Sequence, residues 1–100
     1  MKIGINGFGR IGRAIFRIND LQESCEIAVI NDTNPDNQNL AYLAQYDTTY
    51  GRFHSDISAD EDSLNYDNKK IALHHQENIL DVPWDQYDVD IVIDSSGIAQ

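Results

Sequence analysis

Three glycines near the start of the chain, Gly7, Gly9 and Gly12, have the spacing G-x-G-x-x-G. In this pattern the first glycine permits a tight turn, the second lets the main chain approach a pyrophosphate, and the third lets a helix pack against a strand. The helix that follows directs its N-terminal N–H groups and the positive end of its dipole at the phosphates. The motif therefore predicts a site for a dinucleotide.

An acidic residue stands where such a site needs one, since Asp32 follows Gly12 by about twenty residues. Its carboxylate is expected to accept hydrogen bonds from the hydroxyls of the adenosine ribose. A carboxylate at this position repels the additional phosphate of NADP and favours NAD. The hydroxyl of the neighbouring Thr33 is able to donate to a 2′-phosphate. We therefore expect NAD, and NADP stays possible.

The elements around the motif fit this interpretation. Lys2–Asn6 alternates β-branched and small residues and predicts a buried strand, and residues 10–21 place apolar side chains at helical spacing. Glu26–Asn31 is apolar with almost no polar interruption, which is typical of a strand covered on both faces of a parallel sheet. The order strand, helix, strand predicts one right-handed crossover unit.

The middle of the chain has a different pattern. A turn at Asn34-Pro35-Asp36 predicts the start of a short second helix. Ser63–Tyr66 and Lys69–His74 then predict two strands joined across Asp67-Asn68, a good hairpin pair. This region is therefore expected to be an antiparallel excursion from the crossover pattern.

A last strand is predicted at residues 90–94, and it runs into the turn Ser95-Ser96-Gly97. The fold class expected is α/β, a Rossmann-type parallel sheet with an antiparallel hairpin excursion. Residues 1–100 are interpreted as part of an NAD(P)-binding Rossmann domain, the front portion of something larger.

Charge and cysteine content exclude several classes of protein. The 7 basic and 17 acidic residues give a formal charge of −10, which argues against nucleic acid or an anionic membrane as a partner. The single cysteine, Cys25, fits a reducing compartment. No apolar run approaches a membrane span, and polar residues interrupt the only candidate signal peptide. A cytoplasmic location is therefore expected.

Other reactive side chains predict no catalytic or metal site. Cys25 precedes the second strand and is expected at the wrong edge of the sheet for a nucleophile. The pair His74-His75 is not expected to bind a metal, because adjacent strand residues point to opposite faces and no third ligand accompanies them. These two residues and His54 are interpreted as surface or half-buried histidines. We interpret the remaining groups as a solvated acidic turn (Asp60-Glu61-Asp62), solvated or subunit-facing arginines (Arg13 and Arg17), and aromatic residues used in packing or subunit contact (Tyr42, Tyr46, Tyr50 and Trp84).

Several segments together resemble one family. They are INGFGRIGR at the glycine motif, VIND at 29–32, LAYLAQYDTTYGRF at 40–53, Trp84, and DSSG at 94–97. This chain resembles the N-terminal part of phosphorylating glyceraldehyde-3-phosphate dehydrogenase, and the related erythrose-4-phosphate dehydrogenases share the pattern. The resemblance implies an NAD-dependent oxidoreductase of glycolysis that phosphorylates an aldehyde oxidatively, and a homo-oligomer, a tetramer in the full protein.

The resemblance also assigns roles along the cleft. Gly7, Gly9, Arg10, Ile11 and Gly12 would hold the pyrophosphate, and Asp32 the adenosine ribose. Backbone around Gln76 and Glu77 would border the adenine, and the negative Glu77 stands where relatives usually carry a basic residue. Ser96 and Gly97 would line the floor, and Asn6 would brace the glycine turn. Phe8, Thr33 and Ser95 complete the set of candidate cofactor-binding residues.

The family's catalytic cysteine and histidine belong to a second domain, so residues 1–100 are not expected to turn over substrate alone. Two alternatives stay open. The chain is either a stand-alone NAD-binding or subunit-interaction module without catalytic activity, or part of an erythrose-4-phosphate dehydrogenase.

Overall fold

Strand and helix alternate at the start of the chain and give way to antiparallel strands in the middle. The computed structural model describes residues 1–47 and 50–96. The first elements are β1 (Lys2–Asn6), α1 (Arg10–Gln22), β2 (Glu26–Asn31) and α2 (Asn37–Gln45). They are followed by β3 (Tyr46–Asp47), β4 (Gly51–Arg52), β5 (Ser58–Ala59), β6 (Ser63–Tyr66), β7 (Lys69–His74) and β8 (Ile91–Asp94).

The main sheet has six strands in the order β5-β6-β7-β2-β1-β8. The four strands β7, β2, β1 and β8 are parallel, whereas β5 and β6 pair antiparallel at one edge. Strands β3 and β4 form a separate two-stranded antiparallel sheet. The predicted α/β fold with an antiparallel excursion is confirmed.

Strand β1 is paired with β2 on one edge and with β8 on the other, and both of its faces are covered. Ile3 and Ile5 are buried on one face. On the other face Gly4 leaves room for the ring of Trp84, which a side chain at this position would strike. Trp84 therefore packs against the sheet as expected, and its ring N–H donates to the carbonyl of Ile79 over 2.9 Å.

An aromatic cluster fills the space between α1 and the sheet. The buried ring of Phe16 lies 6.0 Å from Phe8, 5.2 Å from Phe53 and 5.2 Å from Tyr66, measured between ring centroids. Edge-to-face and stacked pairs at these distances add to the stabilisation that burial gives. The cluster joins the crossover unit to the antiparallel strands, so α1 is fixed in relation to both.

The turn between β6 and β7 confirms the hairpin prediction. Asp67 and Asn68 both have positive φ, 48° and 62°, which matches the right-handed twist of the flanking strands. The sequence around Pro83 and Trp84 predicts irregular structure at residues 81–86, but these residues contain parts of two short 3-10 turns, Ile79–Asp81 and Trp84–Tyr87. The sequence also predicts that residues 48–51 end the second helix, and residues 48 and 49 of this segment lie outside the described residues.

The tyrosines of α2 and its following turn were expected to serve in packing or in subunit contact. Tyr42, Tyr46 and Tyr50 are 61%, 47% and 63% exposed, so they are not buried in the core of this domain. Neither α-helix in the described part of the chain is long and apolar enough to cross a membrane.

Candidate functional site

The carboxyl ends of four parallel strands line up along one edge of the sheet. In the register of the sheet, Asn6 of β1 lies between Asn31 of β2 and Asp94 of β8, and Asn31 faces His74 of β7. Ligands of open α/β sheets bind beyond this edge, where loops leave the strands. The candidate site is therefore the cleft above these strand ends.

The glycine loop leaves β1 at this edge, and two of its glycines are required by close packing. Gly7 has a φ of 98°, and a Cβ there would collide with the main chain of Ser96. A Cβ on Gly12 would collide with the carbonyl oxygen of Gly7. These two glycines let the loop lie between β8 and α1.

The remaining glycine of the motif has a different environment. No heavy atom of the described residues lies within 4 Å of where a Cβ of Gly9 would stand, apart from its chain neighbours. Packing among the described residues therefore does not require this glycine. Open space over a bare main chain is what a closely approaching phosphate group needs.

Helix α1 begins directly at this open space. Its N-cap is Gly9, which has no side chain to accept from the first N–H groups of the helix. The first intrahelical bond is donated by the N–H of Arg13 to the carbonyl of Gly9 over 2.9 Å. No side chain of the described residues caps α1, so the N–H groups of its first turn point to a place where an anion would be bound and where the helix dipole also attracts it.

Asp32 lies beside the glycine loop, and its carboxylate holds two segments of main chain. The N–H of Phe8 donates to Oδ2 over 2.7 Å, and the N–H of Asn34 donates to Oδ1 over 2.9 Å. Each carboxylate oxygen has a further lone pair. Asp32 is therefore able to accept hydroxyl groups of a ligand while it keeps the loop in place.

A pair of asparagines fixes the base of the cleft. Nδ2 of Asn31 donates to Oδ1 of Asn6 over 2.8 Å and to the carbonyl of Gln76 over 3.0 Å, while Oδ1 of Asn31 accepts from the N–H of Gln76 over 2.8 Å. Nδ2 of Asn6 in turn donates to Asp94 over 3.1 Å. Asn31 was not among the predicted site residues, although its place at the end of a buried strand was a signal for it.

The turn after β8 closes the other side of the cleft. The hydroxyl of Ser95 donates to the carbonyl of Gly7 over 2.7 Å. Asp94 accepts from both the hydroxyl and the N–H of Ser96, and these bonds, followed by the bond from Asn6, lower the pKa of Asp94. The turn is thereby tied to the glycine loop and keeps a negative charge at neutral pH.

Most of the predicted residues line this cleft, which has a volume of about 200 Å³. Its lining includes Asn6, Gly7, Gly9, Asp32, Thr33, Gln76, Glu77, Ser95 and Ser96, and also Asn31. The cleft lining does not include Phe8, Arg10, Ile11 or Gly12. The Phe8 ring is buried in the core, and Arg10 and Ile11 are exposed on the first turn of α1. Gly97 lies outside the described residues.

Two histidines predicted to be surface or half-buried residues contact the main chain of Asp32. His74 is hydrogen-bonded through Nε2 to the hydroxyl of Tyr87 at 2.7 Å, and its main-chain carbonyl accepts from the N–H of Asp32. The ring of His75 contacts the carbonyl of Asp32 at 2.8 Å. Their burial agrees with the prediction, but their contacts with the Asp32 segment were not foreseen.

His54 and Cys25 lie elsewhere. Nε2 of His54 is 2.6 Å from a carboxylate oxygen of Asp20, and Nδ1 is 4.0 Å from Asp67, so three potential metal-ligating groups meet on the surface. Cys25 is half-buried before β2, at the edge of the sheet away from the cleft, as predicted. There the side chain of Asn19 both donates to its carbonyl and accepts from its N–H.

The arginines of α1 correct another expectation, because they are not simply solvated. Nη2 of Arg17 donates to the carbonyls of Ala44, Gln45 and Gly51 over 2.8 to 3.3 Å. Nη1 of Arg13 donates to the carbonyl of Phe8 over 3.0 Å. Arg17 therefore binds the carboxyl end of α2 and the segment after it, and Arg13 supports the glycine loop.

Comparison with known proteins shows which proteins this chain is similar to. Residues 1–100 match the family described as "Glyceraldehyde 3-phosphate dehydrogenase, NAD binding domain". The chain is 39% identical over 98 residues to glyceraldehyde-3-phosphate dehydrogenase 3 of Saccharomyces cerevisiae, covering 98% of this chain and 30% of that protein. It is 40% identical over 97 residues to glyceraldehyde-3-phosphate dehydrogenase 2 of Bacillus subtilis, covering 97% and 28%. The chain thus spans about 30% of the length of the curated relatives it matches.

Proposed function

This chain belongs to the family of glyceraldehyde-3-phosphate dehydrogenase NAD-binding domains, and we propose that it binds NAD through the cleft above β1, β2 and β8. The cofactor of the family is NAD. The observation that carries the site is the open space over Gly9 at the uncapped start of α1. That space and those N–H groups fit a pyrophosphate.

We assign the residues of the cleft by the part of the dinucleotide they would hold. The main chain of Gly9, Arg10 and Ile11 would bind the pyrophosphate, because the N–H groups of the first helical turn lie there. Asp32 would bind the adenosine ribose through its free lone pairs, with Thr33 beside it. The main chain at Gln76 and Glu77 would border the adenine, and Ser95 to Gly97 would form the floor.

The remaining candidates would act through packing. Because Gly12 has no side chain, α1 packs directly against the carbonyl of Gly7. The buried ring of Phe8 anchors the glycine loop in the core. Asn6 would act with Asn31, since both brace the strand ends beneath the ligand. These residues would set the shape of the cleft rather than contact the dinucleotide through their side chains.

The activity of the whole protein is proposed on the same basis. NAD, when bound, supplies a nicotinamide ring that accepts a hydride, as oxidation of an aldehyde requires. We propose that residues 1–100 are the NAD-binding part of a glyceraldehyde-3-phosphate dehydrogenase and do not turn over substrate alone. In support, Cys25 lies at the sheet edge opposite the cleft, where it is unable to act as nucleophile beside the cofactor.

Assembly and location are proposed as well. The exposed rings of Tyr42 and Tyr46, whose centroids are 5.0 Å apart, support a homo-oligomer, because exposed aromatic residues are enriched at interfaces. The single cysteine, Cys25, supports a cytoplasmic location.

Calorimetric titration with NAD, ADP-ribose and NADP tests the assignment of the cleft. The named residues contact the ADP-ribose half, so NAD and ADP-ribose are expected to bind with similar affinity. NADP is expected to bind more weakly, because its 2′-phosphate meets the carboxylate of Asp32. Absence of saturable heat with all three ligands would contradict the proposal.

A further inference from the structure

The ring of His75 lies between two oxygen atoms. Nδ1 is 2.8 Å from the main-chain carbonyl oxygen of Asp32, and Nε2 is 2.7 Å from Oδ1 of Asn37. The ring thus joins the segment after β2 to the first residue of α2. Both distances are those of ordinary hydrogen bonds.

The orientation of the Asn37 amide is determined by its other contacts. Nδ2 of Asn37 donates to the carbonyl of Asp60 over 3.0 Å and to the carbonyl of Glu61 over 2.9 Å. Rotating the amide by half a turn would bring its oxygen against these two carbonyl oxygens. The oxygen of Asn37 therefore faces His75, and the His75 ring is left with an acceptor on each side.

A neutral imidazole carries one N–H, whereas an imidazolium carries two. A carbonyl oxygen and an amide oxygen accept hydrogen bonds but do not donate them. We propose that His75 is a doubly protonated positioning residue, which holds the main chain of Asp32 in place for the adenosine ribose. The part of this inference that concerns the ribose rests on the proposed function of the cleft.

The titratable residues on the segments that meet at His75 are mostly acidic. They are Asp32, whose main-chain carbonyl faces the ring, Asp60 and Glu61, whose main-chain carbonyls accept from Asn37, and Glu77, two residues along the chain. The basic groups on these segments include His74, which precedes His75 in the chain, and Lys70, whose Nζ is 3.9 Å from a carboxylate oxygen of Asp60. Burial lowers the pKa of His74, and the positive charge of His75 lowers it further, so His74 takes up a proton less readily than a free histidine.

Losing a proton from His75 would have a defined consequence. One of its two nitrogens would then face an oxygen with no hydrogen between them, and that contact would become repulsive. Either the carbonyl of Asp32 or the amide of Asn37 would have to move away. We therefore expect the affinity for NAD to be lower wherever His75 is neutral, because the bound form of the cleft requires the cation.

Nuclear magnetic resonance of the protein with ¹⁵N-labelled histidine tests the protonation state without any ligand. The His75 ring is assigned by comparison with the variant His75→Gln. Both ring nitrogens of His75 are expected to carry a proton at about pH 6. When one of these protons is lost at higher pH, the amide resonances of Asp32 and Thr33 are expected to change as well. A ring that carries a single proton throughout this range would overturn the inference.

Calorimetry with NAD at about pH 6 and about pH 8 tests the effect on the cleft. The affinity of the original protein is expected to be several-fold weaker at the higher pH. In His75→Gln, the side-chain amide carries donors on only one of its two polar atoms, so it cannot donate to both oxygens as the cation does. This variant is expected to bind NAD more weakly at the lower pH and to lose most of the pH dependence of binding. His54→Gln is the matched control, because His54 contacts Asp20 outside the cleft, and it is expected to behave like the original protein.

A pH dependence that is the same in His75→Gln and the original protein would overturn the positioning role. The two measurements also separate this inference from the proposed function. A cationic His75 in a protein that does not bind NAD contradicts the proposed function and the role at the ribose. A neutral His75 in a protein that binds NAD contradicts the inference alone.

Discussion

The carboxylate of Asp32 accepts a hydrogen bond from the main-chain N–H of Phe8, with Oδ2 2.7 Å from the nitrogen. The end of β2 is thus tied to the middle of the glycine loop. Asp32 also accepts from the N–H of Asn34. The residue proposed to bind the ribose therefore holds together the two segments between which the dinucleotide would lie.

This arrangement predicts that Asp32→Ala affects both stability and binding. Two hydrogen bonds to a charged acceptor are lost, and we expect the free energy of unfolding to fall by about 2–3 kcal/mol. Urea unfolding followed by circular dichroism measures this change. Affinity for NAD is expected to fall, and its advantage over NADP to narrow, because the repulsion of the 2′-phosphate disappears. An unchanged ratio of the affinities for NAD and NADP would show that Asp32 does not contact the adenosine ribose.

The glycine motif predicts opposite effects for two alanine substitutions. Gly12→Ala is expected to destabilise the protein, because the new methyl group collides with the carbonyl of Gly7. Gly9→Ala is expected to fold normally and to bind NAD more weakly, since its methyl group enters open space that the pyrophosphate would occupy. Thermal unfolding and calorimetry separate the two effects. Equal affinity for NAD in Gly9→Ala and the original protein would mean that this space is not used.

Glu77 predicts a gain of affinity on charge reversal. Its exposed carboxylate lines the cleft and repels the phosphates of a dinucleotide, so Glu77→Lys is expected to tighten NAD binding several-fold at low salt. The same change at Glu26 is the control, because Glu26 begins β2 at the opposite edge of the sheet. Calorimetry in low and high salt measures the effect. A similar gain in Glu26→Lys would indicate a general charge effect rather than a local one.

His74 predicts a dependence of stability on pH. Burial, followed by the charge of His75, lowers the pKa of His74 in the folded protein, whereas in the unfolded chain it takes up a proton near its ordinary value of about 6.5. The unfolded state therefore binds more protons between these two values, and stability is lost as the pH falls through that window. Urea midpoints measured from about pH 8 to about pH 5 are expected to fall less steeply in His74→Gln. Parallel curves for the two proteins would contradict the burial argument.

Most strands and helices could be predicted from the sequence, because the patterns that specify them extend over only a few residues. The bounds of β1, β2, β6 and β7 agree with the prediction, and α1 extends one residue further than residues 10–21. Periodicity of apolar residues, the glycine motif and the pair Asp67-Asn68 act over a few residues each. The 3-10 turns around Trp84 were missed, since they depend on the packing of that ring against Gly4.

The side-chain contacts of the site were less predictable because they join distant parts of the chain. The bonds from Arg17 to Ala44 and Gly51, and those between Asn31 and Gln76, require the final position of several elements. Sequence patterns indicate which residues meet at the carboxyl edge of the sheet. They do not indicate which donor meets which acceptor there.

Titration of the ¹⁵N-labelled protein with NAD, followed by amide resonances, tests the proposed binding site most directly. The account predicts saturable shifts that are largest at the N–H groups of Gly9, Arg10, Ile11 and Gly12, and smaller ones at Asp32 and Thr33. The resonances of the β6–β7 turn, including Asp67, are expected to stay in place. Saturable binding that leaves the amides of the glycine loop unchanged, or no saturable shift at all, would contradict it.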